Sequence, residues 1–136
     1  MESLRRRRAP HPRERTDWIL RVRHFLGGDA DTPFQPFDRF AQLQESRGKS
    51  LEELLDTFEA LRAENVRTLE EFGIAESDLD LPGIHPEFGR VTLRQHLATW
   101  VVHDLSHLAQ VARVMGFQWK DDVGPWRRYL RILGDG

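Results

Sequence analysis

Apolar residues between Trp18 and Leu26 recur at three- and four-residue spacing, as Trp18, Ile19, Val22, Phe25 and Leu26, with Gly27-Gly28 behind them. This is the period of an amphipathic helix with one buried face and a glycine stop. Asp29 to Gly48 sets Phe34, Phe37 and Phe40 among Pro33 and Pro36, which predicts a long connection holding one short helical turn from Phe37 to Leu43. Ser50 followed by Glu53 is a capping box, and Leu51, Leu54, Leu55, Phe58, Leu61, Leu69 and Phe72 then share one face up to Gly73. Residues 74–91, with Pro82-Gly83 and His85-Pro86, predict a polar, turn-rich link. Thr92 with Gln95 repeats the capping box and opens a helix to Met115, with Gly116 as its stop. A last helix is expected from about Val123 to Leu133, with Trp126, Tyr129, Leu130 and Leu133 on one side and Pro125 in its first turn. No strand pattern of any length appears. Long helices joined by connections of very unequal length predict an all-α bundle with at least one long crossover.

A chain of 136 residues is the size of one domain. Pro10 and Pro12 flank His11 and oppose a helix there, so residues 1–13 are expected to be a disordered Arg/Pro-rich terminus and residues 14–136 a helical domain. The formal net charge of -2 hides a segregation: +5 over residues 1–28, -10 over 29–87 and +3 over 88–136. The run Arg5-Arg6-Arg7-Arg8 invites a nucleic-acid reading. One short basic run without interleaved aromatics reads better as a solvated end, so nucleic acid is not an expected partner. No apolar stretch has the length of a membrane span, and none follows the arginines as in a secretory signal, which gives a cytoplasmic reading without membrane partners. The absence of cysteine excludes disulfides, thiolate metal sites and thiol nucleophiles, so any metal must sit on His, Asp or Glu.

The helix from Thr92 carries the candidate chemistry. At about 100° per residue, His96, His103, His107 and Gln110 fall within an arc of roughly 60°. Their neighbours Leu93, Leu97, Trp100, Val101, Leu108, Val111 and Ala112 are apolar, so the polar stripe is expected on or beside a buried face. Imidazoles among aliphatics need partners, because an unpaired ring nitrogen costs free energy. His103 and His107 have the i, i+4 spacing that lets two imidazoles ligate one divalent ion such as Zn, Ni, Cu or Fe. A third ligand must then come from elsewhere, with His11, His24, His85 and the carboxylates as candidates. The competing structural reading is that these histidines bond to one another, to Gln110 or to backbone. Two sharper motifs fail on detail. Asp104 is a methylene too short for the general base of a zincin, and Ser106, His107 and Asp104 on one helix point in different directions and cannot form a triad.

The run His85-Pro86-Glu87-Phe88-Gly89, then Val91-Thr92-Leu93-Arg94-Gln95 and Trp100 to Met115 with its H-x-x-x-H, resembles the C-terminal half of DinB-like proteins. Gly124-Pro125-Trp126-Arg127 with Tyr129-Leu130 is similar to the family's ending, and Glu14 to Ile19 resembles the end of its second helix, so the likeness spans residues 14–133. It implies an up-down-down-up four-helix bundle, often dimeric, with a divalent metal on three histidines, of which His103 and His107 match two. Zn, Ni or Fe is the implied cofactor. Metal-dependent hydrolysis and thiol transfer with low-molecular-weight thiols such as bacillithiol or mycothiol are the implied activities.

The family's first metal histidine would fall near Ala9, where there is none, and only thirteen residues precede Glu14. The expectation is therefore a DinB-like bundle shortened at its N-terminus, lacking its first helix and one ligand. An uncovered apolar stripe would favour dimerisation. Two function classes follow. In the first, His103 and His107 hold a divalent ion that activates water or a thiol, with Gln110 and His96 as supporting groups that orient ligand or substrate. In the second, the chain is a non-catalytic helical module for homodimerisation or partner binding that has lost the metal site.

Overall fold

The structure, a computed structural model, describes residues 17–36, 38 and 40–134, all but Asp17 and Gln42 with their side chains. Residues 1–13, expected to be disordered, lie outside the described residues. Helix dominates: α1 (Asp17–Gly27), α2 (Ala41–Ser46), α3 (Leu51–Phe72) and α4 (Leu93–Phe117), with one antiparallel hairpin of β1 (Pro82–His85) and β2 (Gly89–Thr92) before α4. The all-α expectation holds in class. No helix among the described residues is long and apolar enough to cross a membrane. The chain divides into two compact units, Met1–His96 and Leu97–Gly136.

In the first unit α1 turns Ile19, Val22, Phe25 and Leu26 inward, the face that their spacing predicts, and packs on α3 and β1. The Arg23 guanidinium lies 5.1 Å from the centre of the Phe72 ring at the end of α3. Phe34 completes the core. Its amide donates to the Ile84 carbonyl at 2.9 Å, and its ring meets Phe25 edge-on at 5.0 Å. Helix α2 starts at Ala41, after the turn expected from Phe37, because the Asp38 carboxylate accepts from the amides of Phe40 and Ala41 and sets the entry there.

Both capping boxes form. The Ser50 amide donates to Glu53 Oε2 at 2.7 Å and the Glu53 amide to Ser50 Oγ at 3.2 Å; Thr92 and Gln95 exchange the same bonds at 3.0 and 3.3 Å. Gly73 ends α3 in the left-handed region, φ 56° and ψ 45°, where a side chain is disfavoured. Of the face predicted for α3, Leu54, Leu61, Leu69 and Phe72 are partly buried whereas Leu51, Leu55 and Phe58 are exposed. The first half of this helix therefore draws its order from its cap and its own backbone bonds more than from packing.

Three expectations change. The link over 74–91 contains the hairpin, which pairs Pro82 with Thr92, Gly83 with Val91, Ile84 with Arg90 and His85 with Gly89, and Ile84 also bridges to Pro33. Gly116 does not stop α4, which runs one residue further to Phe117. The expected helix over 123–133 is instead two 3-10 segments, Gly124–Tyr129 and Arg131–Leu133, closed by bonds such as Leu130 amide to Arg127 carbonyl at 3.0 Å. Of its predicted face only Leu133 is buried, and a short segment without packing along one stripe has little to hold it in the α form.

Gly83 shows how tight the first unit is. A methyl on its Cα would stand 2.6 Å from Phe34 Cζ and 2.7 Å from Phe25 Cε1, and both rings are buried. Gly83→Ala should therefore destabilise the chain by about 1–3 kcal/mol, the usual cost of an overpacked core, read as a lower midpoint in urea unfolding. An unchanged midpoint would mean that the rings can move aside.

Candidate metal centre

Helix α4 carries all four residues of the polar stripe, but it uses them in two ways. His96, in the first turn, is buried at 7% exposure. Its Nε2 lies 3.0 Å from the Trp18 carbonyl oxygen, so that nitrogen carries the hydrogen and donates. The imidazole packs between Trp18 at 5.1 Å and Phe25 at 5.6 Å between ring centres. Burial pushes its pKa below the ordinary value, outweighing the Trp18 carbonyl, which favours the protonated ring; the nearby Arg21 and His85 charges lower it further. His96 is thus a neutral core histidine bonded to backbone.

Two turns on, His103 and His107 face each other. Their Nε2 atoms are 3.2 Å apart and the rings meet edge-on, 4.5 Å between centres. The i, i+4 spacing explains this, since those side chains lie one above the other along a helix. His107 Nδ1 is 2.9 Å from Gln110 Oε1, an oxygen that can only accept, so Nδ1 holds the hydrogen and Nε2 presents a lone pair. On the other ring Asp104 Oδ1 lies 3.6 Å from His103 Nδ1, longer than a hydrogen bond. With its hydrogen on Nδ1, His107 accepts at Nε2, and His103 Nε2 donates to it. The His103 side chain is 46% exposed, and His107 and Gln110 are exposed too, so the expectation that the stripe lies against a buried face fails beyond Trp100.

The other candidates are placed differently. His85 Nδ1 accepts the amides of Glu87 and Phe88 at 3.1 and 3.2 Å, and its ring stacks on Phe88 at 4.6 Å, so it closes the hairpin loop. His24 is half-buried, edge-on to Phe34 at 5.1 Å, with Nε2 unpartnered. His11 lies outside the described residues. Among the described residues no three His, Cys, Asp or Glu side chains are grouped to hold a metal ion. Ser106 donates its hydroxyl back to the Val102 carbonyl at 2.8 Å, which leaves it bonded within its own helix, as the rejection of a triad expects.

A family model of the DinB superfamily matches residues 3–111. The chain belongs to the DinB superfamily. No curated protein matches it. The DinB match takes in α1, α3, the hairpin and the whole of the His103, His107 and Gln110 cluster, and ends within α4 before the 3-10 segments. It begins at residue 3, ahead of the arginine run, so those residues fall within the matched stretch rather than outside the likeness.

Because His96 stays neutral in the fold while an unfolded histidine takes up a proton near pH 6.5, the unfolded chain binds more protons below that pH. His96 therefore makes stability fall as pH drops from 6.5 towards its lowered folded value. His96→Phe should cost about 1 kcal/mol at neutral pH through the lost bond to Trp18. The difference in stability between wild type and this variant should shrink with acid, by at most about 1.4 kcal/mol per pH unit. Urea unfolding at several pH values checks this; a difference independent of pH would mean that His96 is not held neutral.

Proposed function

We propose that this DinB-superfamily chain is a divalent-metal-dependent enzyme, a hydrolase or thiol transferase, in which His103 and His107 bind Zn, Ni or Fe through Nε2. The observation that carries the reading is the facing pair of Nε2 atoms at 3.2 Å, with Gln110 holding the ring hydrogen of His107 on the opposite side. Ligands 2.0–2.1 Å from a tetrahedral zinc ion stand about 3.3–3.4 Å from each other, close to the observed gap. Nitrogen donors also suit nickel and iron.

Each residue then has a task. Gln110 fixes the tautomer and tilt of His107. When bound, the ion supplies Lewis-acid activation of a water or thiol nucleophile. The exposure of the pair leaves room for a substrate to approach. His96, bonded to Trp18, holds the first turn of α4. In this reading the protein works in the cytoplasm, where low-molecular-weight thiols are reduced and abundant.

A second reading has its own support. Val101, Leu105, Leu108 and Met115, spaced by four, three and seven residues, are all more than half exposed, which fits a helical module that pairs with a copy or another helix. Elemental analysis of the purified chain beside a His103→Ala/His107→Ala double variant separates the two. The enzyme reading expects metal in the first and none in the second, and a 10–100-fold loss of metal affinity, roughly, in Gln110→Ala. Metal absent from both proteins, or retained by the double variant, would overturn it.

A further inference from the structure

The turn between β1 and β2 is held by a side chain that can take up a proton. His85 Nδ1 accepts the amides of Glu87 and Phe88 at 3.1 and 3.2 Å, so that nitrogen is bare and the ring hydrogen sits on Nε2. The imidazole lies between two aromatics, stacked on Phe88 at 4.6 Å and edge-on to the buried Phe34 at 6.5 Å. The groups around it are mostly basic. Arg21 and His24 of α1 lie against the same Phe34 ring at 5.4 and 5.1 Å, and His96 of α4 is near enough to feel a charge on His85. Glu87, within the turn, is the carboxylate nearest in sequence. Arg90 pairs with Ile84, one register position along, so its side chain leaves the other face of the hairpin.

We propose that His85 is an acid-sensitive latch on the hairpin, shut while the imidazole is neutral and open once it is protonated. The proton arrives from solvent at Nδ1, the atom that the two amides occupy. An imidazolium carries hydrogen on both nitrogens and accepts nothing, so protonation and closure exclude each other. The turn is therefore shut at the high end of the range in which histidine changes charge, about pH 5–8, and open at the low end. The charge also meets Arg21 close by, which adds repulsion to the lost bonds. Opening is confined to the turn, because Gly83 further along β1 is packed against the Phe25 and Phe34 rings and the Ile84 carbonyl accepts the Phe34 amide. β2 ends at Thr92, whose hydroxyl caps α4, so the latch acts on the strand that leads into that helix. It needs neither a metal ion nor the His103 and His107 pair.

The test follows the Glu87 and Phe88 amides and the His85 ring nitrogens of the full chain by NMR from about pH 8 to 5. Both amide protons should move towards unbonded positions with one midpoint, shared with the His85 ring, and their protection from exchange should fall about fivefold, the worth of one hydrogen bond. The Phe34 amide should keep its protection through that midpoint. In His85→Asn the side-chain oxygen can accept the same amides and does not titrate, so the turn should stay shut across the range. In His85→Phe it should be open already at the high end. Amides indifferent to the His85 titration would overturn the latch, as would a His85→Asn chain that still opens at the same pH. Protection lost at Phe34 with the same midpoint would also overturn it, since the whole unit would then be unfolding.

Discussion

The bond from His96 Nε2 to the Trp18 carbonyl is the constraint on which the first unit depends. It joins residues 78 apart in sequence, the first turn of α4 and the first turn of α1. An eleven-residue helix such as α1 is marginal alone, because too few backbone bonds repay its nucleation. It persists by burying Ile19, Val22, Phe25 and Leu26, and that burial places a carbonyl near an imidazole that has lost its water. The ring answers by staying neutral and donating. Beside it the Phe25 and Phe34 rings press on Gly83, so the hairpin that leads into α4 is held by the same core. The start of α4 is further tied by its own cap and by the Leu93 and Arg94 amides, which donate to the carbonyls of Leu81 and Leu79 at 3.0 and 2.8 Å.

The same helix then spends identical side chains on opposite purposes. His96, His103 and His107 share one stripe and one chemistry, but only the first is desolvated and bonded to backbone. The other two are exposed and bond to each other through Nε2, with His107 Nδ1 held by Gln110. The exposed pair lies inside the stretch that the DinB superfamily model matches.

Much of this was legible in the pattern of residues. Ser50 with Glu53, Thr92 with Gln95 and the glycine stop at Gly73 are local signals, and each appears where it was read. The spacing of His103, His107 and Gln110 likewise foretold that they would meet. The hairpin was not legible, because Pro82 and Gly83 are poor strand formers and its stability comes from Phe25, Phe34 and Ile84, which are brought together only by the fold. Nor could periodicity separate His96 from His103, since both have the same phase on α4 and the difference is a carbonyl on a distant helix. The final segment shows the converse. Trp126, Tyr129, Leu130 and Leu133 have helical spacing, yet with only Leu133 buried the chain takes 3-10 turns.

The most direct test of this division of labour is nitrogen-detected NMR of the histidine rings, recorded at neutral pH with and without zinc. The account predicts that His96 shows the neutral form with its hydrogen on Nε2, unchanged by zinc, while Nε2 of both His103 and His107 shifts as the ion binds. A zinc-dependent shift at His96, or silence at the pair, would contradict it.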